Sequence, residues 1–210
     1  MSGSNAMRVL LAYPDTFADI DYCVTKVSRI TRDCERLVIL YSGDWPEVAR
    51  ACAKHLGCEI EIGRSVPNLH RLQATHAIVF DAGNDHVVEQ CQQEKIPYRR
   101  IHVELCTVTN VDRGEQCDVY IGRGSVFGNP YALGGDGDRE EVIRKFEYDF
   151  LRGLLTDRQT GMALKDLALQ QLRAKALGCH CKPSACHGDV IARYVNRDIR
   201  FDYDCDEQKK

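Results

Sequence analysis

Eleven consecutive residues near the C-terminal end, Cys179 to Asp189, hold three cysteines, two histidines and one aspartate. Thiols, imidazoles and a carboxylate at this density can do three kinds of chemistry. Cys179, Cys181, Cys186 and His187 form a candidate zinc set, since four sulfur and nitrogen donors suit tetrahedral zinc. The C-x-C-x4-C-H spacing departs from the two-pair zinc knuckle. Alternatively, Cys186 is a candidate nucleophile where a helix begins, a place that lowers a thiol pKa, with Cys181 beside it. His187 and Asp189 would then orient groups or exchange protons. In the third reading the cysteines are compact core residues, Gly188 shapes a turn and Asp189 caps the last helix. In an extended segment Cys179 and Cys181 point one way and His180 the other.

A second cluster precedes this one. Residues 122–137 run Gly-Arg-Gly-Ser-Val-Phe-Gly-Asn-Pro-Tyr-Ala-Leu-Gly-Gly-Asp-Gly. Such a loop is either loose or held in a special backbone shape, and Phe127 and Tyr131 supply anchors for the latter. Arg123 with free loop amides suits a phosphate or carboxylate. Ser125 and Asn129 complete the candidate ligand-binding set of this turn.

The elements that would position these groups follow from periodicity. Residues 8–13, 37–41, 58–62, 77–80 and about 100–105 read as strands, the first a continuous apolar run of the doubly buried kind. Helical stretches alternate with them. One carries Ile20, Val24, Val27 and Ile30. A second is capped at Asp44, with Pro46 in its first turn and Glu47 at the capping-box position, and ends at Gly57. Five strands alternating with helices predict a parallel, Rossmann-like α/β sheet. Ligands in such sheets sit beyond the C-terminal strand ends. That selects the loops at residues 13–17, 42–45 and 81–85, with Gly43, Asp44 and Gly83 as candidate ligand-binding residues.

The polar stretch 106–117 reads as irregular and marks a domain boundary. After it come a short strand near Asp118–Gly122, a helix capped by Asp138 with Val142, Ile143, Phe146, Phe150 and Leu154 on one face, and a second helix through Leu164–Leu172. Leu177 to Cys179 is a strand leading into the cysteine motif. The expected organisation is a Rossmann-like domain over 7–108 and a small α+β domain over 117–198. Residues 1–6 read as an expression-tag scar and 199–210 as a charged tail.

Residues 7–101 resemble the Rossmann-like SLOG superfamily through Arg8 to Tyr13, the Ser42-Gly43-Asp44 turn with its Val48-Ala49 helix, and Phe80-Asp81-Ala82-Gly83. That resemblance implies a nucleotide- or nucleoside-related ligand and a homodimer. The family's Gly-Gly phosphate turn is reduced here to Phe80-Asp81-Ala82-Gly83, so a glycosidic hydrolase site is not carried over. Residues 118–196 resemble the family called domain of unknown function 4326, found in phages and bacteria. Its marks are Gly122 to Pro130, with Phe127 where tryptophan is common, and Cys179 to Asp189.

Composition bounds the rest. The chain has 210 residues, 44% hydrophobic and 28% charged, with a formal charge of −3. No global positive field draws it to nucleic acid, which leaves a local basic groove as the only such route. No apolar run has membrane-spanning length. Eleven cysteines without a secretion signal read as free thiols in a reducing cytoplasm. The preferred function is binding or processing of a nucleotide-related small molecule. The alternative is a non-enzymatic interaction module whose Cys/His motif is structural or zinc-binding.

Overall fold

A computed structural model describes residues 6–43, 45–63, 69–82 and 86–197. The chain forms two compact units that divide between Glu104 and Leu105. Among the described residues no helix is long and apolar enough to cross a membrane.

The first unit contains β1 (Met7–Ala12), α1 (Ile20–Thr31), β2 (Leu37–Ser42), α2 (Glu47–Leu56), β3 (Glu59–Gly63), α3 (Leu69–Leu72), β4 (His76–Asp81), α4 (His86–Gln93) and β5 (Tyr98–His102). All five strands are parallel, in the order β3-β2-β1-β4-β5, so this is a Rossmann-like α/β sheet. Alternate residues of the central strands serve opposite faces. Leu10, Leu40, Ala77 and Val79 pack with Leu69, Val88 and Cys91 from the helices of one layer. Val9, Leu11, Ile39 and Phe80 lie on the other pleat and are also buried. Continuous apolar strands thus mark a sheet covered on both sides.

Two local readings change. The buried stripe of α1 is Cys23, Val24, Val27 and Thr31, while Ile20 and Ile30 are largely exposed. The N-cap of α2 is Pro46, which offers no side-chain cap, and Asp44 lies outside the described residues. Gly57 does end α2, at φ 63°. The strand expected near 100–105 starts earlier, at Tyr98, because Ala77 to Asp81 pair with Tyr98 to His102.

The second unit contains β6 (Thr107–Asn110), a 3-10 turn (Val111–Arg113), β7 (Val119–Tyr120), α5 (Arg139–Leu151), α6 (Leu164–Gln171), β8 (Ala176–Cys179) and α7 (His187–Val195). Its sheet has the order β6-β8-β7, and both pairings are parallel. The stretch read as irregular therefore holds a strand, β6, and a helical turn. Phe146, Phe150, Leu167, Leu177 and Ile191 lie at the centre of this unit's core. Asp138 caps α5 by accepting from the Glu141 N–H, as its sequence position suggested.

Candidate functional site

Parallel pairing places the ends of β6, β7 and β8 on one edge of the small sheet. Asn110, Tyr120 and Cys179 are the last residues of those strands. The chain leaves the central strand β8 at Cys179, crosses the loop 180–186 and enters α7. Both sequence motifs converge here around a cleft of about 400 Å³.

The three thiols form the floor. The sulfurs of Cys179, Cys181 and Cys186 all lie within 4.8 Å of one another, and those of Cys179 and Cys186 are 3.6 Å apart. Cys179 and Cys186 are buried, and Cys181 is half-buried. The alternation along the extended segment explains the pairing of Cys179 with Cys181 on one side. His180 goes the other way: its Nδ1 is 2.8 Å from Asp112 Oδ1, and its Nε2 is 2.8 Å from the Tyr120 hydroxyl.

The loop is fixed from several directions. Asn110 Nδ2 donates to the Lys182 carbonyl. Asp189 accepts from the Cys186 N–H at 2.9 Å, completing a capping box at the start of α7, and its other oxygen pairs with Lys182 Nζ. Asp189 thus orders the loop that carries the thiols.

His187 is not in the thiol group. Its Nε2 is 3.0 Å from the Ile121 carbonyl, which only accepts, so this nitrogen carries a proton. Its ring meets Phe146 edge-on. Burial holds its pKa below the usual histidine value, so the neutral ring is favoured.

The electrostatics separate the two buried thiols. Cys179 accepts a hydrogen bond from the Cys186 thiol, and the backbone N–H groups of Cys181 and Lys182 add to this; together they lower its pKa against the opposing effect of burial. Cys186 moves up, because it donates to Cys179 and is itself buried. Although Cys186 caps a helix, the sulfur whose pKa moves down is that of Cys179, seven residues earlier in the chain.

The opposite wall comes from the glycine-rich turn. Arg123 lines the cleft and is exposed. Ser125 is spent on the turn, its Oγ donating to the Gly122 carbonyl at 2.8 Å. Asn129 also holds the loop: it accepts from the Tyr131 N–H and donates to the Val142 carbonyl. The turn needs glycine, since a Cβ at Gly128 would sit 2.7 Å from the Gly122 carbonyl oxygen. Tyr131 and Leu133 give the cleft an apolar side, with Ile143 behind them, and the Tyr131 hydroxyl bonds Asp149. Arg139, at the start of α5, is a second cation on the wall and donates to the Ala185 carbonyl.

Sequence reasoning missed Tyr120, Asp112 and Arg139. Tyr120 lay inside the strand read at Asp118–Gly122, and in the structure it ends β7. Asp112 carried no signal, because its partner is 68 residues away.

In the first unit, Gly43 follows β2 with φ 152°, while Gly83 and the turn around it lie outside the described residues, as does Asp44. The Tyr13 hydroxyl donates to the Trp45 carbonyl at 2.9 Å and accepts from the Ala49 N–H at 3.0 Å. The Tyr41 hydroxyl accepts from the Trp45 N–H at 3.3 Å, and the two tyrosine rings stack with centroids 4.9 Å apart. The start of α2, selected by sequence as the best anion site of this sheet, is thus capped by tyrosine.

Fold and site define a two-part protein: a Rossmann-like sheet joined to a small unit with a thiol-floored cleft. Residues 105–197 match the family described as Domain of unknown function (DUF4326), and residues 6–109 match the Minimal SLOG domain. The chain belongs to the DUF4326 family, preceded by a minimal SLOG domain. It is similar to an uncharacterized 12.4 kDa protein in the nrdA-td intergenic region of Enterobacteria phage T4, with 40% identity over 103 residues. That match covers 49% of this chain and 89% of the phage protein. No solved structure matches.

Proposed function

We propose that the protein binds or processes a nucleotide- or nucleoside-related small molecule in the cleft of its second unit. The observation that supports this reading best is the convergence of Arg123 with three clustered thiols at the C-terminal edge of a parallel sheet. Parallel α/β sheets place ligands at that edge. Arg123 and Arg139 suit a phosphate or carboxylate. Tyr131, Leu133 and Ile143 offer an apolar side to a base or ribose. The minimal SLOG match, over residues 6–109, supports the nucleotide-related class for the chain, while the cleft itself is argued from Arg123, Arg139 and the thiols.

The chemistry assigned to the residues follows from their surroundings. The Cys179 sulfur accepts from the Cys186 thiol, which favours ionisation at Cys179 over Cys186. Asp189, Asn129 and Ser125 hold the loops, and His187 braces Ile121 from the core. A non-enzymatic module in which the thiols are structural is the second reading, favoured by the near-complete burial of Cys179 and Cys186.

A thermal-shift panel of nucleotides and nucleosides separates the two, because a ligand that binds only the folded state raises the melting temperature. At least one phosphate-bearing member should stabilise the wild-type protein, and Arg123→Ala should abolish that shift. Stabilisation by no member of the panel would favour the structural module.

A further inference from the structure

The sulfur spacing in the cleft decides between uses of the thiols. A disulfide needs its sulfurs about 2.0 Å apart. A tetrahedral zinc ion, about 2.3 Å from each sulfur, holds them about 3.8 Å apart. The observed separation of Cys179 and Cys186 is 3.6 Å, and Cys181 joins them within a 4.8 Å limit. Three sulfurs this close suit one ion. An iron–sulfur cluster spreads its cysteines over more than one iron.

The surroundings are those of a metal's outer shell. The Cys181 N–H donates to Cys179 Sγ at 3.4 Å. Asn110 and Asp189 tie down the loop between the second and third thiols. Outer contacts of this kind orient ligands and tune their basicity.

The fourth position is the informative one. Both neighbouring histidines are committed elsewhere: His187 Nε2 to the Ile121 carbonyl, and His180 to Asp112 and Tyr120. Among the described residues, the thiols are the whole of the ligand group. Structural zinc sites close all four positions with protein, whereas catalytic ones keep one for water or substrate.

We infer that Cys179, Cys181 and Cys186 hold a single zinc ion whose fourth position opens into the cleft. On loading, three Zn–S bonds form, each sulfur that still carries a proton releases it to solvent, and no electron moves. The ion then offers Lewis acidity to an oxygen or nitrogen of whatever the cleft holds. This deepens the nucleotide-related reading of the cleft and rests on it only for the identity of that occupant.

The test uses the full chain purified without chelator. Elemental analysis should give about one zinc per chain, lost in Cys181→Ser and kept in Cys58→Ser, a cysteine of the first unit. Cobalt(II) exchanged into the site should show tetrahedral d–d bands and sulfur-to-cobalt charge transfer scaled to three thiolates. Imidazole should shift those bands by entering the open position. A folded chain without metal overturns the inference, as does iron with inorganic sulfide or a mass loss placing a disulfide between Cys179 and Cys186. A cobalt spectrum that imidazole leaves unchanged overturns the open position. Zinc without any nucleotide-induced melting shift retains the metal and removes the nucleotide reading; the reverse pattern removes the metal alone.

Discussion

The two parallel sheets of this chain end their strands in opposite ways. At the edge of the first, Tyr13 and Tyr41 turn their hydroxyls onto the backbone of Trp45 and Ala49, so the start of α2 is satisfied from within. Burial pushes the Tyr13 phenol far up and the Tyr41 phenol to about 12, so both remain neutral caps. At the edge of the second sheet the strands end in Asn110, Tyr120 and Cys179, and the space beyond them is a cleft with cations and thiols. Strand order alone points to the first sheet as the ligand site. The proposed function moves that weight to the second, on the side chains at its strand ends. A fold states where a ligand can go, and the residues at that place determine whether it does.

The largest test of this contrast lies under the cleft. Phe146 is fully buried, stacks on Phe150 and meets the His187 ring. Phe146→Ala should cost about 3–5 kcal/mol in chemical denaturation and remove ligand stabilisation with it. Gly128→Ala is smaller, about 2 kcal/mol, because its Cβ must displace the Gly122 carbonyl. It should move Arg123 and weaken ligand binding more than it weakens the fold. Tyr13→Phe sharpens the comparison from the other side. It leaves the Ala49 N–H without its tyrosine acceptor and should cost about 1 kcal/mol, with ligand-induced stabilisation unchanged. Loss of that stabilisation in Tyr13→Phe would return the site to the first sheet.

The smallest effect concerns pH. Arg8 hydrogen-bonds Glu61 and lowers its pKa from the ordinary carboxylate value. A carboxylate lowered in the folded state adds stability that is complete above its unfolded pKa and fades as pH falls toward the folded value. The Glu61 side chain is half exposed, so solvent screening limits the pair to about 0.5 kcal/mol. Urea titrations from pH 7 to pH 3 should show Glu61→Gln converging on wild type at the acid end.

Much of this was legible in the sequence where one element speaks for itself. The apolar runs at residues 8–13 and 37–41 gave two doubly buried strands, and Asp138 with Glu141 marked the start of α5. The cysteine motif and the glycine-rich turn were both visible, and they do line one cleft. What local pattern could not carry was pairing at a distance. Thr107–Asn110 has one apolar residue in four and becomes a strand only because Ala176–Cys179 pairs with it. His187 read as a metal ligand or proton carrier beside Cys186, yet its ring turns to a carbonyl 66 residues earlier. The acidity of Cys179 rather than Cys186 depends on which sulfur accepts, and spacing does not encode that.

Where a ligand sits decides between the two sheets. Backbone amide NMR of the full chain, titrated with the strongest phosphate-bearing stabiliser of the panel, locates it. The predicted result is a set of shifts at Gly122–Asn129 and Cys179–Gly188, with Trp45 and Ala49 unmoved. Shifts concentrated at Tyr13, Gly43, Trp45 and Ala49, with the cysteine loop unmoved, would contradict it.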